Sequence, residues 1–110
     1  MKYHSSSSTY ATSAVKSVVD SWATSKFTDQ LKTVDGYSAR LITKTEYEAI
    51  SAYSWRYNSS YLYWTMSPYF DTAVTMWNVY SDGRLSYYTV YADEGAVRPV
   101  INVYKSKISS

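Results

Sequence analysis

The apolar positions change their spacing once along this chain. In the first half they recur at the helical interval: Val15, Val18, Val19 and Trp22 fall at i, i+3, i+4 and i+7. That spacing places one apolar stripe on a helix, capped by Thr12 or Ser13 and closed by Phe27. Asp35-Gly36 marks a turn, and Ala39-Arg40-Leu41-Ile42 reads as a short strand leading into Thr43-Lys44-Thr45-Glu46. Those four residues form a capping box, in which the threonine oxygen accepts the amide of Glu46 while the Glu46 side chain returns to the cap amide. A second helix is predicted through about Tyr53, with Tyr47 and Ile50 facing inward, and residues 54–60 read as a loop.

From Tyr61 the period becomes two, with strands predicted at 61–65, 75–80, 84–91 and 97–104. Asp82-Gly83 is a signal for a two-residue hairpin, because a type I′ turn needs positive φ at both central positions. Such a turn sets Val79 opposite Ser86 and Trp77 opposite Tyr88, with Val90 further along the same face, which then reads as core. The other face carries Asn78, Tyr80, Leu85, Tyr87, Thr89 and Tyr91, and a slip of one residue would exchange the two. Pro99 has no N–H to give a ladder. It is expected at a bulge, a strand start or the open side of an edge strand, fixing the direction of Arg98 beside it.

With 110 residues the chain is one domain by length, able to bury roughly two thirds of its unfolded surface. Residues 1–10, with a polar serine run at 5–8, read as a flexible or partial N-terminal segment, and residues 11–110 as the domain itself. Charged residues make up 18% and the net charge is +2, too little basic excess to make nucleic acid or an anionic membrane the expected partner. No segment reaches the roughly 18 apolar residues of a membrane span, and the start has no leader-like apolar run. The absence of cysteine excludes a disulfide scaffold and cysteine zinc sites.

Catalytic chemistry finds little support. The single imidazole, His4, sits in the polar start and is expected to be solvated, which argues against a histidine triad or zinc site. The carboxylates, Asp71 among them, form no obvious pair, and the adjacent Asp93 and Glu94 read as solvated acids rather than cation ligands. Arg40 and Arg98 lie in apolar strands, where a guanidinium serves as a donor to carbonyls or a carboxylate, while Arg84 after the turn reads as exposed. The 14 tyrosines and 4 tryptophans are the distinctive material. Trp22, Trp64 and Trp77 are assigned to the core, and Trp55 and Tyr57 to an exposed loop. Asn78, Tyr80, Ser81, Tyr87 and Tyr91 together have the composition of an antibody paratope.

Three ordered blocks carry a resemblance: Tyr63-Trp64-Thr65-Met66-Ser67-Pro68, then Trp77-Asn78-Val79-Tyr80-Ser81-Asp82-Gly83, then Val97-Arg98-Pro99-Val100-Ile101. The set resembles uncharacterised domains of bacterial surface and phage proteins with a C-type-lectin-like fold, a fold shared with formylglycine-generating-enzyme-like domains. The resemblance implies an α+β domain with two helices packed on a small, twisted, mainly antiparallel sheet. It also implies that Trp64, Trp77, Gly83, Arg98 and Pro99 build the scaffold. The strands that precede the first helix in such domains are either missing here or reduced to residues 1–10. The Glu-Pro-Asn or Gln-Pro-Asp motif of calcium-dependent lectins is missing, as are the cysteines of the oxidase.

The function expected is therefore non-catalytic recognition of a protein or glycan on a cell surface, without calcium or any cofactor. The candidate ligand-binding residues are Asn78, Tyr80, Arg84, Tyr87, Tyr91, Trp55 and Tyr57. Nucleic-acid binding and membrane insertion are not expected, and the location is extracellular, on a cell surface or on a virion. The alternative is a structural subunit of a pilus, phage tail or cell-surface assembly whose tyrosines form self-contacts. An enzyme would need a cleft with perturbed carboxylates.

Overall fold

Ser13 starts the first helix: its hydroxyl accepts the Lys16 amide at 2.9 Å, and helix α1 runs over Ala14–Lys26 before ending at Phe27. The computed structural model describes residues 1–27, 29–69 and 73–104. Helix α1 buries Val15, Val19 and Ala23, whereas Val18 and Trp22 are 45% and 38% exposed. The inward stripe is thus rotated from the predicted one, and Trp22 is not a core residue. Ala23 is small enough to let the helix settle close to the neighbouring strand β1 (Ala39–Arg40), where Ala39 is also buried. Trp22 instead meets Phe27 edge-on, with ring centres 5.6 Å apart.

The capping box forms as predicted. Thr43 Oγ1 accepts the Glu46 amide at 3.1 Å, and the Glu46 carboxylate accepts the Thr43 amide at 2.9 Å. The helix it starts, α2 (Lys44–Ala49), is shorter than expected and gives way to a 3-10 turn at Ser54–Arg56. Tyr47 is buried and Ile50 half-buried, but Ser51, Ala52 and Tyr53 beyond them are exposed.

The strands make two antiparallel sheets rather than one. Strands β2 (Tyr63–Pro68), β3 (Thr75–Val79) and β4 (Leu85–Thr89) form a three-stranded sheet in that order, and β1 pairs with β5 (Val100–Ile101). The long C-terminal strand predicted at 97–104 is realised as these two residues, with Pro99 immediately before them. Its backbone continues along residues 30–38 through Lys32 N–H to Asn102 O and Asn102 N–H to Ser38 O, at 2.8 and 2.9 Å. The chain is a small α+β domain with two helices and antiparallel sheets.

The hairpin departs from its predicted register by one residue. Val79 faces Leu85, Asn78 faces Ser86 and Trp77 faces Tyr87. The cause lies in the turn. Gly83 has φ of 94° but Asp82 is not left-handed, so a type I′ turn cannot form. Gly83 N–H donates to Tyr80 O and Tyr80 N–H to Arg84 O, both at 2.9 Å, which makes a three-residue loop of Ser81-Asp82-Gly83. The I′ geometry appears at the other Asp-Gly pair, where Asp35 and Gly36 have φ of 53° and 87° between the bridged Val34 and Tyr37. The slip turns β3 over relative to β4: Met76 and Asn78 are buried on the face of Val90, which keeps its predicted core place. Trp77 joins Tyr87 on the other face, where Val79 is buried against Tyr47 and Tyr63.

The N-terminal segment belongs to the core, which corrects the reading of residues 1–10 as flexible. Tyr3 is fully buried, its ring 5.2 Å from that of Trp64, and its N–H donates to Val90 O at 2.9 Å. His4 is buried, not solvated. Its Nδ1 accepts the amides of Ser6 and Ser7 at 2.9 and 3.1 Å, so Nε2 carries the hydrogen that Thr12 Oγ1 accepts at 2.7 Å. The serine run thus supplies backbone donors that satisfy a buried ring.

Candidate functional site

Strand pairing builds the most conspicuous surface feature. Trp77 and Tyr87 stand directly opposite each other on β3 and β4, their rings 5.9 Å apart and nearly perpendicular at 88°. Tyr69, just past the end of β2, stacks on Tyr87 with centres 4.1 Å apart and planes at 18°, and meets Trp77 edge-on at 4.9 Å. Lys44, the first residue of α2, places its ammonium 5.2 Å from the Trp77 ring centre while pairing with Glu48. Tyr87 is 50% exposed, and Tyr69 and Trp77 are half-buried. The result is a rigid aromatic platform beside a cation.

Other expected site residues are dispersed. Asn78 is fully buried in the sheet, so it cannot touch a ligand from outside, and neither its Oδ1 nor its Nδ2 meets a hydrogen-bond partner among the described residues. Tyr80 has the strand parity of Asn78 rather than of Tyr87, and it packs under the Arg84 guanidinium at 4.7 Å. Arg84 itself is exposed and 3.5 Å from Asp82. Tyr91 is exposed beyond the end of β4. Tyr57 is half-buried against Gly83, where an added Cβ would lie 2.8 Å from its ring, so it is packing for the hairpin turn rather than an open aromatic.

A second feature surrounds the turn at Ser54–Arg56. Arg98 donates to Trp55 O at 2.6 Å and to Arg56 O at 3.2 Å, and its guanidinium lies 5.1 Å from the Tyr63 ring centre. The Tyr63 hydroxyl donates to Arg56 O as well, and burial pushes that phenol up to about 12. Trp55, held by its own carbonyl, is 61% exposed and stacks on Tyr53 with ring centres 5.5 Å apart. Beside it lies a cleft of about 160 Å³ bordered by Ile42, Ile50, Tyr63, Pro99 and Val100, with Trp55, Arg56 and Arg98 completing its wall.

Arg40 makes a two-point pair with Glu46, both contacts at 2.6 Å, which anchors β1 to the start of α2. Trp64 is fully buried and donates its indole N–H to Met1 O at 2.9 Å. The Thr65 hydroxyl donates to Trp77 O at 2.8 Å across a bulge in β2. Sequence patterning missed Tyr69 and Lys44, because Tyr69 follows a proline outside any alternating run and Lys44 belongs to a helix cap. Among the described residues no three His, Asp or Glu side chains gather as metal ligands would, and Asp93 and Glu94 are exposed. Asp71 lies outside the described residues. No helix among them is long and apolar enough to cross a membrane.

No curated protein and no solved structure matches the chain. The model of a domain of unknown function, DUF6273, matches residues 2–105, and the chain belongs to that family.

Proposed function

We propose that this domain is a non-catalytic recognition module of a bacterial surface or phage protein, working outside the cell and binding a protein or glycan through the outer face of its hairpin. The observation that carries the reading is the Tyr69–Trp77–Tyr87 cluster, an aromatic platform pinned by strand pairing and flanked by Lys44. Rings held in this way offer contact area at small entropic cost, and their flat faces suit sugar rings or apolar side chains. No cation or cofactor takes part in this mode of binding. A C-type-lectin-like fold is part of the proposal. Its support is the element order, with two helices before the three-stranded sheet, and the pairing of β1 with β5 that closes the chain.

The test is a glycan and cell-surface array, run with and without EDTA, comparing the parent chain with Tyr87→Ser and Trp77→Ser. Tyr87→Ser is expected to keep the melting temperature and weaken binding by about tenfold or more, the range of a central aromatic contact. Unchanged binding in both variants would remove the platform from the site. A parent chain that dimerises in light scattering, with Tyr87→Ser monomeric, would instead make the platform a subunit contact.

A further inference from the structure

The cleft beside Trp55 has a construction that the aromatic platform does not share, and none of its lining residues belongs to that platform. We propose that it is a second binding site, which receives one apolar side chain of an acidic peptide segment while Arg98 and Arg56 take the flanking carboxylates.

Size limits the occupant. About 160 Å³ is close to the roughly 150 Å³ cavity that holds one benzene, so the cleft fits a single side chain of leucine or phenylalanine size. The hydrophobic border of Ile42, Ile50, Pro99 and Val100 suits such a group.

Charge selects among apolar peptides. The chain has four arginines, and two of them, Arg40 and Arg84, are paired with Glu46 and Asp82. Arg56 and Arg98, the two at this cleft, have no carboxylate partner among the described residues. Arg98 is also immobilised before any ligand arrives, by two backbone carbonyls and by the ring of Tyr63. Two of its five N–H donors are used in that way and the Tyr63 hydroxyl lies within hydrogen-bond reach of the same guanidinium, so the proposed carboxylate takes the donors that remain. A fixed fork loses little entropy on binding, and its electrostatic attraction favours acidic partners over neutral ones.

The rim supports a peptide rather than a free small acid. Trp55 and Tyr53 form a stacked pair, 61% and 52% exposed, which extends the apolar surface past the cleft mouth. An anchored tryptophan of this kind, exposed and rigid, is the common centre of a peptide contact.

The experiment is a nitrogen-15 NMR titration of the full chain with two blocked tripeptides, acetyl-Glu-Phe-Glu-amide and acetyl-Gln-Phe-Gln-amide. The acidic peptide is expected to shift the Trp55 indole, the Arg98 Nε–H and the amides of Ile50 and Val100. The neutral peptide is expected to bind at least about fivefold more weakly, with the difference shrinking in 0.5 M salt as charges are screened. Trp55→Ala, at an exposed position, should keep the melting temperature and lose about tenfold in affinity. Tyr87→Ser should leave the affinity for the acidic tripeptide as it is in the parent chain, which separates this cleft from the hairpin platform. Equal affinity for the two peptides, shifts centred on Trp77 and Tyr87, or no shifts at all would each overturn the proposal.

Discussion

Arg40 and Glu46 meet in a two-point ion pair, each guanidinium nitrogen 2.6 Å from its own carboxylate oxygen. One of those oxygens also accepts the Thr43 amide, so a single carboxylate joins β1 to the cap of α2. The Arg40 hydrogen bonds hold the Glu46 carboxyl down at about 2, aided by the Thr43 amide and opposed by burial. A depressed carboxyl pKa contributes stability that is complete above the unfolded value of 4.5 and lost as pH falls toward 2. Glu46 is 44% exposed, and solvent screening limits the pair to about 1 kcal/mol.

Glu46→Gln keeps a cap acceptor but removes the charge. We expect it to lower stability by about 1 kcal/mol at pH 7, roughly 4 °C in a domain of this size. Its melting temperature should then fall less steeply than that of the parent between pH 4.5 and 2. Parallel pH profiles for the two chains would show that the ion pair contributes nothing.

Much of the architecture was legible because local chemistry is decisive where it is strong. Thr43 and Glu46 announce the second helix, Ser13 is the cap of the first, and strands appear near each alternating run. Register was not legible, because both Asp-Gly pairs carry the same hairpin signal. Only the three-dimensional setting distinguishes them: Gly83 O accepts the buried Tyr47 hydroxyl and the Tyr57 ring lies against Gly83, so this turn is shaped by packing. Asp35-Gly36 is exposed and adopts its intrinsic geometry.

The slip that follows places a polar amide in the interior. Asn78 is on the central strand of its sheet and fully buried, and its amide has no partner among the described residues. Burying an amide without hydrogen bonds costs about 1–3 kcal/mol. Asn78→Val, a β-branched residue of similar size, should therefore raise the melting temperature by several degrees. A fall on calorimetry would mean that the amide is satisfied in solution, and the core would have to be read as hydrated there.

The candidate site was legible in its materials but not in its grouping. Tyr87 and Trp77 are strand aromatics that a sequence reading finds easily, yet it assigns them to opposite faces until the hairpin loop is known to have three residues. Asn78 and Tyr57 were drawn to the surface by composition alone, and packing withdraws both. Arg98 could be read as a fixed donor because proline follows it, whereas the carbonyls of Trp55 and Arg56 that hold it come from more than 40 residues away, with separations of 43 and 42.

Gly95 tests a contact with no motif to announce it. A Cβ added there would lie 2.0 Å from Trp64 Nε1 and 2.3 Å from Cε2, so the backbone rests on the face of a fully buried indole. Gly95→Ala must push that ring aside, at a cost of about 3 kcal/mol or more. Gly36→Ala meets nothing within 4 Å and suffers only its positive φ of 87°, at about 1 kcal/mol. Urea denaturation of the two variants should rank them in that order, and a reversal would refute the packing of Trp64 on Gly95.

Tyr3 decides whether the first ten residues are part of the folded domain. Its ring is fully buried between Trp64 and Tyr10, at centre distances of 5.2 and 6.4 Å, while its hydroxyl has no hydrogen-bond partner among the described residues. Removing the ring leaves a cavity, so Tyr3→Ala should cost about 3–5 kcal/mol. Removing only the oxygen relieves an unpaired buried hydroxyl, so Tyr3→Phe should be neutral or slightly stabilising. The pair separates packing from polarity. If Tyr3→Ala melts with the parent chain, residues 1–10 are dispensable to the fold and the serine run is only a solvated lead into α1.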